Sequence, residues 1–139
     1  MKVILDTNVL ISGLFFSGPP YQILKAWHSQ KIQLVISSDI YKEYQRVAGR
    51  LKKKYKKIEI GSILNLITIN SDIIDTQDLP MPICEDPDDD KFIACALSGK
   101  VKIIVSGDKH LLKLSGFRGI VIIKPNEFVD KYIKDMHTT

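Results

Sequence analysis

The sequence predicts an α/β fold: a three-layer α/β/α sandwich around a central, mostly parallel sheet of four to five strands. Three observations predict it. Short apolar runs recur along the chain, each bounded by polar or turn residues, as in strands buried on both faces. Between them lie segments whose apolar residues recur at helical spacing. The 139 residues suit one hydrophobic core, with no repeat, low-complexity tract or linker, so residues 1–139 are expected to form a single domain.

The elements follow in order. Val3-Ile4-Leu5 is an apolar run that ends in a carboxylate, consistent with a buried strand. A helix is predicted from Thr7, with Val9, Leu10, Leu14 and Phe15 on its apolar face. Gly18-Pro19-Pro20 breaks it, and Pro20 can open a second helix over 21–28. Gln33 to Ser37 is the second strand, after which Ser38 or Asp39 is expected to cap a helix running through Tyr44, Val47 and Leu51. Residues 59–70 form a further helix and 71–75 a short strand. Leu79-Pro80-Met81-Pro82 marks a loop. Asp86-Pro87 then starts a helix that carries the apolar run from Phe92 to Leu97 and is therefore largely buried. Residues 102–106 read as a strand, 108–114 as a short helix and 119–123 as a strand, and Pro125 opens the last helix.

No apolar run approaches the ~18–20 residues needed to cross a bilayer. A carboxylate at position 6 leaves no room for a signal peptide, and a cytoplasmic protein is expected. Cys84 and Cys95 match no metal spacing and read as small apolar fillers. His28, His110 and His137 fall at unrelated spacings, consistent with structural or solvated histidines. Net charge is +4, but its distribution says more. Eight Lys or Arg lie between Lys42 and Lys57 against one acid, Glu43, whereas five acids and no base lie between Glu85 and Asp90. One region suits a polyanion and the other suits cations.

In a parallel sheet the ligand site lies beyond the carboxyl ends of the strands. Asp6 ends the first strand, Glu43 lies about one turn into the helix after the second, Asp90 is in the first turn of the buried helix, and Asp108 follows the fourth strand. Each has a plainer reading. Asp6 and Asp108 can cap helices, Glu43 can pair with Arg46, and the acids of 86–90 suit a helix N-terminus. Crowded together, however, carboxylates raise each other's pKa, which a fold tolerates when protons or a cation neutralise them. Oxygen-only ligation suits Mg²⁺ or Mn²⁺, ions that bind phosphates.

These residues resemble a known family. Residues 5–12, Leu-Asp-Thr-Asn-Val-Leu-Ile-Ser, resemble the opening motif of PIN-domain nucleases; 37–44 (through Glu43), 86–96 (through Asp90), 105–110 (through Asp108) and 123–128 resemble its later segments, in the right order. Among PIN proteins the chain is most similar to VapC-like toxin components of bacterial and archaeal toxin–antitoxin systems. The resemblance implies a PIN-like fold and hydrolysis of RNA phosphodiesters with one or two Mg²⁺ or Mn²⁺ ions, leaving 5′-phosphate and 3′-hydroxyl ends. Asp6, Glu43, Asp90 and Asp108 would then be the catalytic, metal-binding acids. Asn8 and Ser106 would be secondary polar groups, with Asp88 and Asp89 as either outer ligands or solvated acids at the helix start.

RNA would be held beside the acids by Lys42, Arg46, Arg50, Lys52, Lys53, Lys54, Lys56 and Lys57, with Tyr41, Tyr44 and Tyr55 available for stacking, unless this run is simply a solvated helix end. Tyr44 falls on the apolar face and suits the core better. Leu14, Phe15 and Phe16 are either core or a surface for an antitoxin or a second copy of the chain, giving a homodimer. Rival readings remain. A PIN protein that binds or processes RNA without a toxin role shares the same residues. A receiver-type phosphoacceptor normally needs an acidic pair after strand one, where only Asp6 stands, and a phosphatase with a nucleophilic aspartate needs an acid at position 8, which is Asn.

Overall fold

A computed structural model describes residues 1–54, 59–76, 79 and 82–134. In chain order its first elements are β1 (Lys2–Leu5), α1 (Thr7–Phe15), α2 (Pro19–His28), β2 (Gln33–Ser37) and α3 (Ser38–Lys52). Then come α4 (Ile60–Asn70), β3 (Asp72–Ile74), a 3₁₀ turn (Pro87–Asp89) and α5 (Asp90–Gly99). The chain closes with β4 (Ile103–Val105), α6 (Lys109–Leu112), a second 3₁₀ turn (Phe117–Gly119), β5 (Val121–Ile123) and α7 (Pro125–Phe128), which runs into a π-helical turn (Val129–Ile133).

Val3, Ile4 and Leu5 offer no polar face, so β1 is stable only when covered on both sides, and all three are buried. It takes the centre of a five-stranded sheet ordered β3-β2-β1-β4-β5, in which every pairing is parallel. Helices flank this sheet in the three-layer arrangement the sequence predicts. Helix α5 lies against β1, β2, β3 and β4, which its buried run from Phe92 to Ala96 requires. Tyr44, Phe92 and Phe128 are among the largest fully buried side chains.

Two helix starts differ from the expected ones. Ser37, not Ser38 or Asp39, caps α3: its backbone is still extended, and its hydroxyl accepts from the Ile40 N–H at 3.2 Å. The last strand residue thus doubles as the cap. After Asp86, the chain first makes the tight turn over 87–89, with the Asp86 carboxylate accepting from the Asp88 N–H, and α5 starts only at Asp90.

The crossing of α1 and α2 rests on Gly13. A Cβ there would lie 2.6 Å from Leu24 Cδ1 and 2.8 Å from the Pro20 carbonyl oxygen. Gly13→Ala is therefore expected to destabilise the fold by about 1–3 kcal/mol, as overpacking does, despite alanine's better helix propensity. Urea unfolding checks this, and an unchanged midpoint would contradict it.

Strands β1 and β4 are neighbours at the point where the strand order reverses, so a crevice opens at their carboxyl ends. Asp6 and Ser106 are the first residues past them. Among the described residues, no helix is long and apolar enough to cross a membrane.

Candidate active site

The Asp6 N–H donates to the Val105 carbonyl at 2.9 Å, which prolongs the β1–β4 ladder by one step and pins the carboxylate at the crevice. Asp6 is 7% exposed. Ser106, fully buried, donates its hydroxyl to Asp6 Oδ2 at 2.6 Å and accepts the Asp108 N–H at 3.0 Å. One hydroxyl thereby sets the spacing of two acids. Asp108 also caps α6, accepting from the His110 N–H at 2.8 Å.

Glu43 reaches the same region from α3. Its Oε2 accepts from the Thr7 hydroxyl, and its Oε1 lies 2.7 Å from Lys91 Nζ and 3.5 Å from Arg46 Nη2. The plainer readings of these residues are thus real as well: Asp108 does cap its helix, and Glu43 does pair with Arg46.

Asp90 is placed differently. Its carboxylate accepts from the backbone N–H groups of Ile83 (3.2 Å) and Cys84 (2.7 Å), tying the loop before α5 to the helix start. The acid that shares the field of the others is Asp89. Partial burial pushes its pKa up to about 6, helped by repulsion from Asp108, Asp6, Asp86 and Glu43. Burial also raises the Asp6 pKa, with Asp108 and Glu43 adding repulsion and hydrogen bonds from Ser106 and the Thr7 backbone opposing it. The Asp90 carboxylate is thus tied to the loop before α5 while bordering the groove beside Glu43, and Asp89, in the preceding 3₁₀ turn, feels the charge of Asp108, Asp6 and Glu43. Asp90 stands in the first turn of α5, as the sequence predicts, but the 3₁₀ turn before it carries no mark in the sequence.

The secondary residues also divide. Ser106 bridges Asp6 and Asp108, whereas Asn8 and Asp88 are exposed. Thr7 and Lys91 hold Glu43, and their one signal in the sequence is that each adjoins an acid of the motif. Tyr44 is buried and donates to the Leu5 carbonyl, which removes it from any stacking surface. Burial lifts both cysteine thiols to about 12, so they are inert fillers.

Beside Glu43 lies an open groove of about 650 Å³, bordered by Lys42, Arg46 and Lys91 and by Asp39, Asp88 and Asp90. Lys42, Arg46, Arg50, Lys52, Lys53 and Lys54 are all exposed along α3 and its end. Tyr55, Lys56 and Lys57 lie outside the described residues.

Chemically, Asp6, Glu43, Asp89 and Asp108 make a carboxylate-rich, oxygen-only donor set. Among the described residues, no three acidic, histidine or cysteine side chains already stand in a cage for an ion. Their charges nonetheless act on one another, since repulsion from Asp108 and Glu43 adds to the burial that raises Asp6 and Asp89. That donor set and its unmet negative charge fit a hard divalent cation.

Residues 2–110 match the model of the PIN domain family. An uncharacterized protein of Methanocaldococcus jannaschii is 33% identical over 147 residues, spanning 96% of this chain and 93% of that one. Among solved structures, the crystal structure of VapBC2 from Rickettsia felis bound to a DNA fragment from their promoter superposes with a TM-score of 0.60. The match covers 89% of this chain and 98% of that chain at 17% identity, a likeness of fold.

Proposed function

The chain belongs to the PIN-domain family, and on that premise we propose that it is a divalent-metal-dependent endoribonuclease, acting as the toxin of a toxin–antitoxin pair. Residues 1–139 act as one domain, in the cytoplasm. The observation that carries the activity is the buried Asp6 carboxylate at the switch point, sharing one field with Asp89, Asp108 and Glu43.

Asp6, Asp89 and Asp108 are the residues proposed to hold Mg²⁺ or Mn²⁺. When bound, the ion supplies an acidified water at neutral pH and charge neutralisation at the scissile phosphate. The chain's own residues supply the rest. Ser106 fixes Asp6 and the start of α6 in register. Thr7 fixes Glu43. Asp90 holds the loop before α5 against the helix start and so sets the position of Asp89. The acids alone repel RNA, and the exposed cations of α3 offset this by binding its backbone.

The test is cleavage of an RNA by the wild type and by Asp6→Asn, with Mn²⁺ and with EDTA. Cutting by the wild type in Mn²⁺ alone is expected; equal cutting by Asp6→Asn contradicts the reading. The basic surface has its own test. Each phosphate contact to a single strand adds about 0.7 to the slope of log K against log salt. Replacing Lys42, Arg50 and Lys52 by alanine should therefore lower that slope by about 2, read by fluorescence anisotropy, and an unchanged slope would exclude these contacts.

The toxin role is supported by the likeness of fold to the VapBC2 structure and by apolar surface at the α1–α2 junction. There Phe16 is 56% and Tyr21 46% exposed, while Leu14 and Phe15 pack partly against the core. This junction is the proposed antitoxin contact. Co-expression of the adjacent open reading frame with a chain carrying Phe16→Glu is expected to lose the complex.

A further inference from the structure

The four carboxylates at the switch point are not equivalent. Among the described residues, the Asp6 and Asp108 carboxylates receive only neutral donors, and the Asp89 carboxylate has no hydrogen bond or ion pair, its N–H alone being engaged by the Asp86 carbonyl. Glu43 alone of the four is paired with cations among the described residues, having both oxygens engaged by Thr7, Lys91 and Arg46. The Lys91 and Glu43 side chains are 16% and 13% exposed, so theirs is no solvated surface bridge. Removing either partner would leave a poorly hydrated charge without its counter-charge.

We propose that Lys91 is a resident cation of the active centre: it fills the place beside Glu43 that a second divalent ion would take, so that the chain takes up a single ion at Asp6, Asp89 and Asp108. This rests on the nuclease reading above. Charge supports it, because Lys91 and Arg46 already offset Glu43, whereas the Asp6, Asp89 and Asp108 carboxylates have no ion pair among the described residues. Position supports it too. Lys91 joins Glu43 to the groove that Lys42 and Arg46 border, so one cation serves both the acid and the basic surface. Glu43 is then a positioning residue that holds Lys91, rather than a ligand.

The test counts Mn²⁺ bound per chain, by calorimetric titration and by the electron paramagnetic resonance of free Mn²⁺, on the full chain stripped with chelator. One ion is expected for the wild type and for Lys91→Arg. Lys91→Met leaves Glu43 partly uncompensated and should take up a second, weaker ion. Glu43→Gln should still bind one, weakened by no more than about tenfold, the low end for an outer-sphere partner. Asp6→Asn should bind none at the same concentrations. Two ions in the wild type, a single ion in folded Lys91→Met, or loss of the ion in Glu43→Gln each overturns the role of Lys91 and leaves the nuclease reading standing. Glu43→Gln decides the matter if circular dichroism finds Lys91→Met unfolded. No uptake by the wild type overturns both.

Discussion

Asp89→Asn is expected to lower the rate of metal-dependent RNA cleavage by roughly 10²–10³-fold or more, since a bound ion is worth several kcal/mol in the transition state and each ~1.4 kcal/mol is a factor of ten. Its neighbour should behave otherwise. Asp90→Asn keeps an acceptor oxygen for the Ile83 and Cys84 N–H groups, and its cost is expected to fall on the stability of the loop before α5, with most of the cleavage rate retained. Two adjacent acids thus separate a role in charge from a role in backbone anchoring. Cleavage assays on both variants under single-turnover conditions decide it. If Asp90→Asn is the dead enzyme and Asp89→Asn the active one, the start of α5 is misassigned by one residue and so is the site.

The second large effect concerns stability without metal. Asp89 moves from its ordinary 3.8 to about 6 in the folded chain, and Asp6 is raised as well, both mainly by burial. A raised carboxyl pKa means that the folded state holds the proton more tightly than the unfolded state does. The benefit is therefore complete below about pH 3.8 and is lost as pH rises through about 6. In EDTA, the stability contributed by these acids should fall between pH 4 and pH 7, and Asp89→Asn should flatten that fall. The variant should melt above the wild type at pH 7.5 in EDTA and close to it at pH 4. Adding Mn²⁺ should raise the wild type and leave the variant nearly unmoved. A wild type that is as stable as Asp89→Asn in EDTA at pH 7.5 would mean that the acids do not burden the fold, and that no cation is needed to relieve them.

Much of this was legible in the residues. The all-apolar β1 and the run from Phe92 to Ala96 can be satisfied only in a two-sided sheet with a buried helix, and both are found there. Placing Asp6, Glu43 and Asp108 at the carboxyl edge needed only the periodicity of the chain and the rule for parallel sheets. What periodicity cannot give is rotation within a run of like residues. Asp88, Asp89 and Asp90 look alike as letters, yet in the fold Asp88 is exposed, Asp89 is partly buried in the field of the other acids, and Asp90 is anchored to the loop. Likewise, Lys91 reads as one more charge at a helix start until the fold brings it to Glu43 from 48 residues away. Ser37 as the cap of α3 was missed for a related reason: a strand's last residue and a helix's cap are the same residue here.

The most direct measurement is anomalous diffraction from crystals grown with Mn²⁺, using the metal's own scattering to place it. One peak is expected, bounded by the Asp6, Asp89 and Asp108 carboxylates, with Lys91 still on Glu43. A peak ligated by Asp90, or no peak at the β1–β4 crevice, would contradict it.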